Sequence, residues 1–283
     1  MGVAPPPGCQ WNPAQYAANS AVQQSWARET LARLSLRGDE HIVDVGCGDG
    51  KVTAELARAV PRGRVLGVDA SPEMIAFAQA AFPPAQFPNL HFQIGDARKL
   101  GSIGAGFHLV FSNAALHWVD DHEAILRGAA AALRPGGRLL VSCGGKGNAH
   151  DVFLALRPEL RAPRWRRFFR RLPAPYFFYS PDEYQRWLPK FGFQPRVLQL
   201  APKDAFYAGP AGLATWLRTT WLPYVQRVPQ PLREEFIAAV ARRYLAKYPP
   251  DTRGRVRVRM VRLEIDAEKV MGAGGASPER LAP

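Results

Sequence analysis

The sequence predicts a doubly wound α/β fold, with a mostly parallel seven-stranded sheet and a helical insertion near its C-terminal end. Strand and helix patterns alternate from residue 41 to residue 143, and a glycine-rich turn joins the first strand to its helix. Two more strand patterns follow, and a long helical segment separates them. Because alternating strands and helices pair through right-handed crossovers, this order indicates a parallel sheet covered by helices on both faces.

The N-terminal region combines a tail and a helix. Residues 1–10 contain three consecutive prolines, and we expect them to form a loose tail. Apolar residues recur at helical spacing over residues 12–33, which predicts a helix. Asn12 is suited to be its N-cap, and Pro13 to be its first residue.

Five short apolar segments predict the strands of the core, over residues 41–45, 64–69, 89–95, 107–112 and 138–143. The helices between them are expected at about 51–60, 71–81 and 120–134. Local signals mark their ends, because Pro61 follows the first helix and Ser71-Pro72 starts the second. Asp120 or Asp121 caps the third helix, and a Pro-Gly-Gly turn follows it.

The C-terminal half is less regular. Strands are expected at 196–200 and 256–265, with helices between them at about 210–227 and 231–248. A helical insertion at this point suits a lid over the carboxyl edge of the sheet. The expected organisation is a single domain over 11–266, with a core at 38–147, substrate and lid elements at 11–34, 148–192 and 204–252, and a second loose tail at 267–283.

Composition excludes several classes of protein. The chain has 283 residues, of which 47% are apolar, so it is not globally disordered. No run approaches the roughly 20 apolar residues of a membrane span, and no secretory signal is recognisable, so a cytoplasmic location is expected. Three scattered cysteines argue against a disulfide framework and a zinc site, and no metal is expected. We expect a monomer.

The turn between the first strand and the first helix reads VDVGCGDG over residues 43–50. Gly46 and Gly48 permit a tight turn and a close approach of the backbone to a ligand. The helix that follows offers free N–H groups to an anionic group. Because the spacing is G-x-G-x-G, and not the G-x-G-x-x-G of dinucleotide-binding proteins, a nicotinamide dehydrogenase is disfavoured.

Polar residues stand at the ends of successive strands. Asp44 lies two residues before the first glycine, Asp69 ends the second strand and Asp96 ends the third, while Asn113 and Ala114 end the fourth. The carboxyl ends of parallel strands meet at one edge of the sheet, where α/β proteins bind ligands. A carboxylate at the position of Asp69 can accept hydrogen bonds from both hydroxyls of a ribose. This arrangement predicts a nucleoside site.

The motifs VDVGCGDG, GVDASPEM, GDA, SNAALHWV and LRPGGRL together resemble the class I S-adenosyl-L-methionine-dependent methyltransferases, which have a Rossmann-like fold. The resemblance implies S-adenosyl-L-methionine as cofactor. It places Asp69 on the ribose, the glycine turn against the methionyl part, and Asp96 and Met74 near the adenine. The expected cofactor site comprises Tyr16, Asp44, Gly46, Cys47, Gly48, Asp69, Ala70, Met74, Asp96, Ala97, Asn113 and Ala114.

The flanking segments resemble the trans-aconitate methyltransferases and the juvenile hormone acid methyltransferases of insects, which form methyl esters of carboxylic acids. The resemblance implies a small or hydrophobic acid as acceptor, with Gln23 and Trp118 holding its carboxylate. Malonyl-carrier-protein methyltransferases share part of the pattern, which leaves an acyl-carrier protein open as a partner. From the residues alone, Arg218 in TWLRTTW is our candidate for a carboxylate ligand on the lid.

A carboxylate needs no general base, because it is already ionised at pH 7. His117, after the fourth strand, is therefore expected to line the pocket. An alternative is that His117 acts as the base for a phenol, hydroxyl or amine acceptor, and activity would then rise through a pKa of about 6.5.

Two arginine-rich stretches, residues 157–171 and 253–259, contribute to a net charge of +13. Such stretches can bind RNA, and an RNA-binding methyltransferase-like protein is the alternative from another class. We prefer a solvated surface for both, because no RNA-binding motif accompanies them.

Overall fold

A computed structural model describes residues 11–270, apart from the side chains of Asn19, Ala21 and Gln23. Seven strands form one sheet in the order β3-β2-β1-β4-β5-β7-β6. They are β1 His41–Val45, β2 Arg64–Asp69, β3 Leu90–Ile94, β4 Phe107–Asn113, β5 Leu133–Gly144, β6 Phe193–Ala208 and β7 Arg255–Lys269. β7 runs in the direction opposite to the other six strands, which are parallel to one another, so the predicted mostly parallel doubly wound sheet is confirmed.

Ten α-helices lie in the described part of the chain: α1 Pro13–Asn19, α2 Ala21–Leu31, α3 Lys51–Ala59, α4 Pro72–Ala81, α5 His122–Ala132, α6 His150–Arg161, α7 Pro181–Trp187, α8 Gly209–Thr220, α9 Leu222–Val225 and α10 Arg233–Lys247. Three of the predicted caps form. Asn12 accepts a hydrogen bond from the Gln15 N–H, Ser71 from the Met74 N–H, and Asp121 from the Ala124 N–H.

The single helix predicted over 12–33 is divided at Ser20. The Ser20 hydroxyl donates to the Asp49 carboxylate at 3.0 Å, and the Lys51 ammonium also contacts it at 3.2 Å. This tertiary hydrogen bond holds the junction between α1 and α2 against the glycine turn, and a serine in this position competes with the helical backbone pattern. The helix predicted over 210–227 is likewise two helices, which meet at Trp221.

The two strands at the end of the sheet are much longer than predicted. β6 and β7 remain paired from Phe193 opposite Lys269 to Ala208 opposite Arg255. β7 also passes the domain boundary expected at 266, and Ala267 is fully buried. The two strands therefore extend beyond the sheet as a ribbon that carries α8, α9 and α10.

Three buried clusters stabilise the chain. Two of them cover the two faces of the sheet, around Val110 on one face and Phe111 on the other. The third joins α6, α8 and α10 to the ribbon, with Phe236 and Tyr244 at its centre. The inserted helices thus have a core of their own, which fixes their position beside the carboxyl edge of the sheet.

Three arginines of the second arginine-rich stretch share one face of β7, and they have acidic partners. Arg257 pairs with Asp204 at 2.9 Å, and Arg259 pairs with Asp151 at 2.6 Å. These ion pairs reduce the net charge of that face. Within residues 11–270, no helix is both long and apolar enough to cross a bilayer.

Candidate active site

The glycine turn between β1 and α3 needs glycine for steric reasons. Gly46 and Gly48 have φ of +76° and +54°, in the left-handed region. A Cβ atom on Gly46 would lie 2.1 Å from the Cβ of Ala115, so that no side chain fits there. The Gly46 and Cys47 N–H groups both donate to the Val68 carbonyl, at 2.7 and 3.1 Å. The turn is therefore packed between the ends of β2 and β4.

Asp69 lies at the end of β2, as predicted, and its carboxylate is oriented by the turn. One oxygen accepts the Gly48 N–H at 3.0 Å and the other accepts the Ser71 N–H at 2.9 Å. Burial raises the pKa of Asp69, and these backbone hydrogen bonds oppose that rise. Because each carboxylate oxygen has two lone pairs, both oxygens can still accept a ribose hydroxyl. The residues present therefore fit the nucleoside of S-adenosyl-L-methionine.

A second acid, Asp44, is buried beneath the turn. Its carboxylate accepts the Thr53 hydroxyl at 2.7 Å. Burial raises the pKa of Asp44 to about 7, and the nearby charges of Asp69 and Asp49 add to the rise. The Tyr16 ring lies against Gly48, and burial together with Asp49 and Asp69 raises its pKa. This group of acids favours a cationic ligand.

We expect binding of S-adenosylmethionine to become tighter as pH rises from 6 to 8. The ligand carries a net positive charge and favours ionised Asp44, whose pKa of about 7 means that binding below that pH releases a proton. The limiting slope is about tenfold in Kd per pH unit below pH 7. Calorimetry across this range tests the slope, and Asp44→Asn is expected to remove it. Equal slopes in both proteins would contradict this assignment.

At the expected adenine end of the site, Asp96 is already hydrogen-bonded within the protein. Both oxygens of Asp96 accept hydrogen bonds from the Arg98 side chain, at 3.0 and 3.2 Å, and its carboxylate also caps the Arg98 N–H. Met74 and Ala97 are buried, and Ala70 lies partly exposed beside Asp69. Their contacts with the adenine stay predictions.

A cavity with mostly aromatic walls lies at the carboxyl ends of β4 and β5, with a volume of about 100 Å³. We call it the aromatic cavity. Its lining residues are Trp11, Tyr16, Trp26, Ala114, His117, Trp118, Asn148, Ala149, Tyr176, Phe178, Trp216, Thr220, Trp221, Met260 and Arg262. Eight are Trp, Tyr or Phe, and none of these lining residues is Asp or Glu. Tyr16 borders both this cavity and the glycine turn, so the two sites are adjacent.

The residues that follow β4 reach this cavity as predicted. Ala114 has a φ of +58°, unusual for a residue with a side chain, and its N–H donates to the Ser142 carbonyl at 2.8 Å. Trp118 packs edge-on against Trp11, with ring centroids 5.5 Å apart. In the described part of the chain its indole N–H makes no hydrogen bond, so it can donate to an acceptor molecule.

His117 is placed to line the cavity. Its Nδ1 accepts the Gly144 N–H at 3.3 Å, which leaves the ring proton on Nε2. Burial, together with the positive charge of Arg262, lowers the pKa of His117 to about 3. The ring is therefore neutral at pH 7 and weakly basic, and this disfavours the alternative in which it removes a proton from the acceptor.

We expect His117→Gln to keep activity within about fivefold of the wild type, because the glutamine carbonyl can accept the Gly144 N–H. We also expect kcat/KM for the acceptor, measured at saturating S-adenosyl-L-methionine, to show no inflection near pH 6.5, since His117 does not titrate there. Steady-state kinetics between pH 5.5 and 8.5 measure both. A loss of about a thousandfold in the variant would reinstate His117 as a base.

Arg262 is a site residue that the sequence analysis missed. It pairs with Gly144 at the carboxyl end of β5 and reaches the aromatic cavity from β7. A signal was present, because Arg262 is in phase with the buried residues Val258 and Met260, opposite to the solvent-facing arginines. Because arginine is almost never fully buried unless it is paired, an inward arginine indicates a candidate site.

Two other candidates lie elsewhere. Arg218 does not line the aromatic cavity, since its guanidinium pairs in a bidentate manner with Glu234, at 2.7 and 2.6 Å. The pair borders a neighbouring cavity that shares only Trp11 and Tyr16 with the first. Gln23 lies in α2, but its side chain is outside the described residues, and its role stays a prediction.

Comparison with known proteins agrees with this geometry. Residues 42–137 match a methyltransferase domain family. The crystal structure of YcgJ from Bacillus subtilis superposes with a TM-score of 0.56 at 18% identity, covering 90% of this chain and all of that one, so the two share a fold. The fold, the glycine turn and Asp69 together define a class I methyltransferase, whose cofactor is S-adenosyl-L-methionine.

More similar relatives identify the family. A trans-aconitate 2-methyltransferase of Variovorax paradoxus is 30% identical over 273 residues, which cover 92% of this chain and 98% of that protein. Another, from Methylobacterium nodulans, is 29% identical over 260 residues with the same coverage. The chain belongs to the trans-aconitate 2-methyltransferase family.

Proposed function

We propose that the protein transfers the methyl group of S-adenosyl-L-methionine to a carboxylate oxygen of a small acid and forms its methyl ester. The names of the relatives support an acid as acceptor. The observation that carries the proposal is Arg262, a buried cation that faces the aromatic cavity and forms no ion pair within the described residues.

The surroundings of Arg262 leave its charge available. Its Nε donates to the Ser142 hydroxyl at 3.3 Å, and one terminal nitrogen contacts the Asn113 side chain at 3.4 Å and the Ser142 carbonyl. The guanidinium lies 5.2 Å from the ring centre of Trp26. Burial lowers its pKa to about 10, so it stays charged at pH 7. A buried charge without an ion-pair partner is costly, and an acceptor carboxylate would neutralise it.

The sheet order places this cation on the acceptor side. The glycine turn and Asp69 follow β1 and β2, whereas Arg262 lies in β7, beyond β4 and β5. Asn113 at the end of β4 lies between the two halves and contacts Arg262. We assign β1 to β3 to the cofactor, and the aromatic cavity with α1, α2 and α8 to the acceptor.

The chemistry needs positioning and exclusion of water more than it needs acid or base. When bound, the cofactor supplies a methyl group on a positively charged sulfur. A carboxylate oxygen forms the new O–C bond while the C–S bond breaks, and the electron pair stays on sulfur. No proton moves, which agrees with a neutral His117. Arg262 would hold and orient the carboxylate, and the aromatic walls would exclude water from it.

Methyl transfer from labelled cofactor to an acid and to its primary amide tests the proposal. We expect label in the acid product only, and we expect alkali to release it as methanol, as an ester requires. An alkali-stable product, or equal labelling of the amide, would contradict ester formation. The primary amide has nearly the same shape as the acid but carries no charge, so it serves as the matched control.

A further inference from the structure

We infer that the preferred acceptor carries a single carboxylate on a flat, apolar body, and that a tricarboxylate such as trans-aconitate is a poor substrate. The inference rests on the proposed function and makes its acceptor class specific. It depends on the aromatic cavity being lined by many aromatic rings and by few charged groups.

The walls of the cavity suit a flat apolar body. The Tyr176 and Phe178 rings, two residues apart on one segment, are nearly parallel, with an interplanar angle of 8°. The Trp118 ring centre lies 4.8 Å from that of Tyr176, and the Trp221 ring centre lies 5.8 Å from it. Aromatic faces of this kind attract flat unsaturated groups through dispersion and stacking.

The residues that line the aromatic cavity provide a positive charge for only one carboxylate. Arg262 is the single cation among the described residues that line the cavity, and His117 is neutral. Two polar atoms of the lining residues, a hydroxyl and an amide oxygen, are already engaged within the protein. The Tyr176 hydroxyl donates to the Thr220 carbonyl at 3.0 Å, and the Asn148 side-chain oxygen accepts the Val261 N–H at 3.0 Å. A second carboxylate would be desolvated among rings without a counter-charge, which is unfavourable.

The cations of the neighbouring cavity are engaged too. Arg218 is neutralised by Glu234, and Arg233 donates to the Val228 and Gln226 carbonyls at 3.0 and 3.3 Å. A distal carboxylate would have to displace these contacts to gain a partner. The charge arrangement therefore favours a monocarboxylic acid.

Three unsaturated six-carbon acids test the inference on the wild-type protein. Sorbate has one carboxylate, trans,trans-muconate has two on the same linear skeleton, and trans-aconitate has three. We expect kcat/KM for sorbate to exceed that for muconate by at least about 30-fold, and that for trans-aconitate by at least about 100-fold, because each added carboxylate must be buried unpaired. Binding of S-adenosylhomocysteine, measured by calorimetry, checks that the protein used is folded and can bind its cofactor.

The outcomes separate the two proposals. Sorbate as the best substrate supports the inference. Muconate or trans-aconitate equal to sorbate or better overturns it, while ester formation stands. Methylation of none of these acids or of longer monocarboxylic acids, by protein that binds S-adenosylhomocysteine, overturns both.

Discussion

Replacing Arg262 by methionine is expected to lower kcat/KM for the acid acceptor by at least about 100-fold, with little change in cofactor binding. Methionine keeps much of the length and the apolar stem but removes the charge that faces the aromatic cavity. Loss of one partner of a buried, hydrogen-bonded charge pair costs about 2–5 kcal/mol, or roughly 30-fold to several thousandfold. Because Arg262 lies on the β7 side of β4, Kd for S-adenosylhomocysteine should stay within about threefold.

A purely structural role for Arg262 predicts a different result. In that case the variant would be less stable, and its binding of cofactor and of acceptor would weaken together. Arg262→Lys should recover part of the activity, since a lysine keeps the charge without the fork of donors. Arg257→Met on the same strand is the matched control, because Arg257 pairs with Asp204 away from the aromatic cavity and should be neutral. Normal acceptor kinetics in Arg262→Met would remove the basis of the proposed function.

The second large effect is expected at Asp69. Asp69→Ala should weaken binding of S-adenosylhomocysteine by at least about 100-fold, because hydrogen bonds to a charged acceptor contribute about 1.5–3 kcal/mol each and two ribose hydroxyls lose theirs. The variant also releases the Gly48 and Ser71 N–H groups, so some of the loss reflects a less ordered turn.

Asp69→Asn separates these contributions. Its carbonyl oxygen can keep one of the backbone hydrogen bonds, while the charge and the second acceptor are lost. We expect intermediate binding and a melting temperature close to that of the wild type. Glu73→Gln provides the control, because Glu73 is an exposed acid on α4 whose partner is the Ser71 hydroxyl. Micromolar binding retained in Asp69→Ala would show that the nucleoside is held elsewhere.

The cofactor side could be predicted from sequence because its signals are local. A glycine turn, an acid at the end of the next strand, and a Ser-Pro helix start each occupy a few consecutive residues. The parallel arrangement then brings the ends of β1, β2 and β4 to one edge without further information. Asp44, Asp69 and Asn113 accordingly lie where the sequence placed them.

The acceptor side could not be predicted in the same way. Arg218 stands in a conspicuous motif of tryptophans and threonines, yet its charge is satisfied by Glu234, which lies on another helix. Arg262 follows a run of alternating arginines that suggested a solvated surface, yet it lies in the opposite phase and is buried beside Trp26. Whether an arginine is paired or available depends on which acids the fold brings near it.

The sequence by itself determined the order of strands and helices, the glycine turn, the acids at the strand ends and the class of cofactor. Only the tertiary structure decided which cation faces the aromatic cavity. It did so by inserting β7 between β5 and β6, which brings Arg262 to Ser142 and Asn113 across more than a hundred residues of chain. Such long-range pairing leaves no local pattern, because its free energy comes from burial and hydrogen bonds that exist only once the sheet is complete.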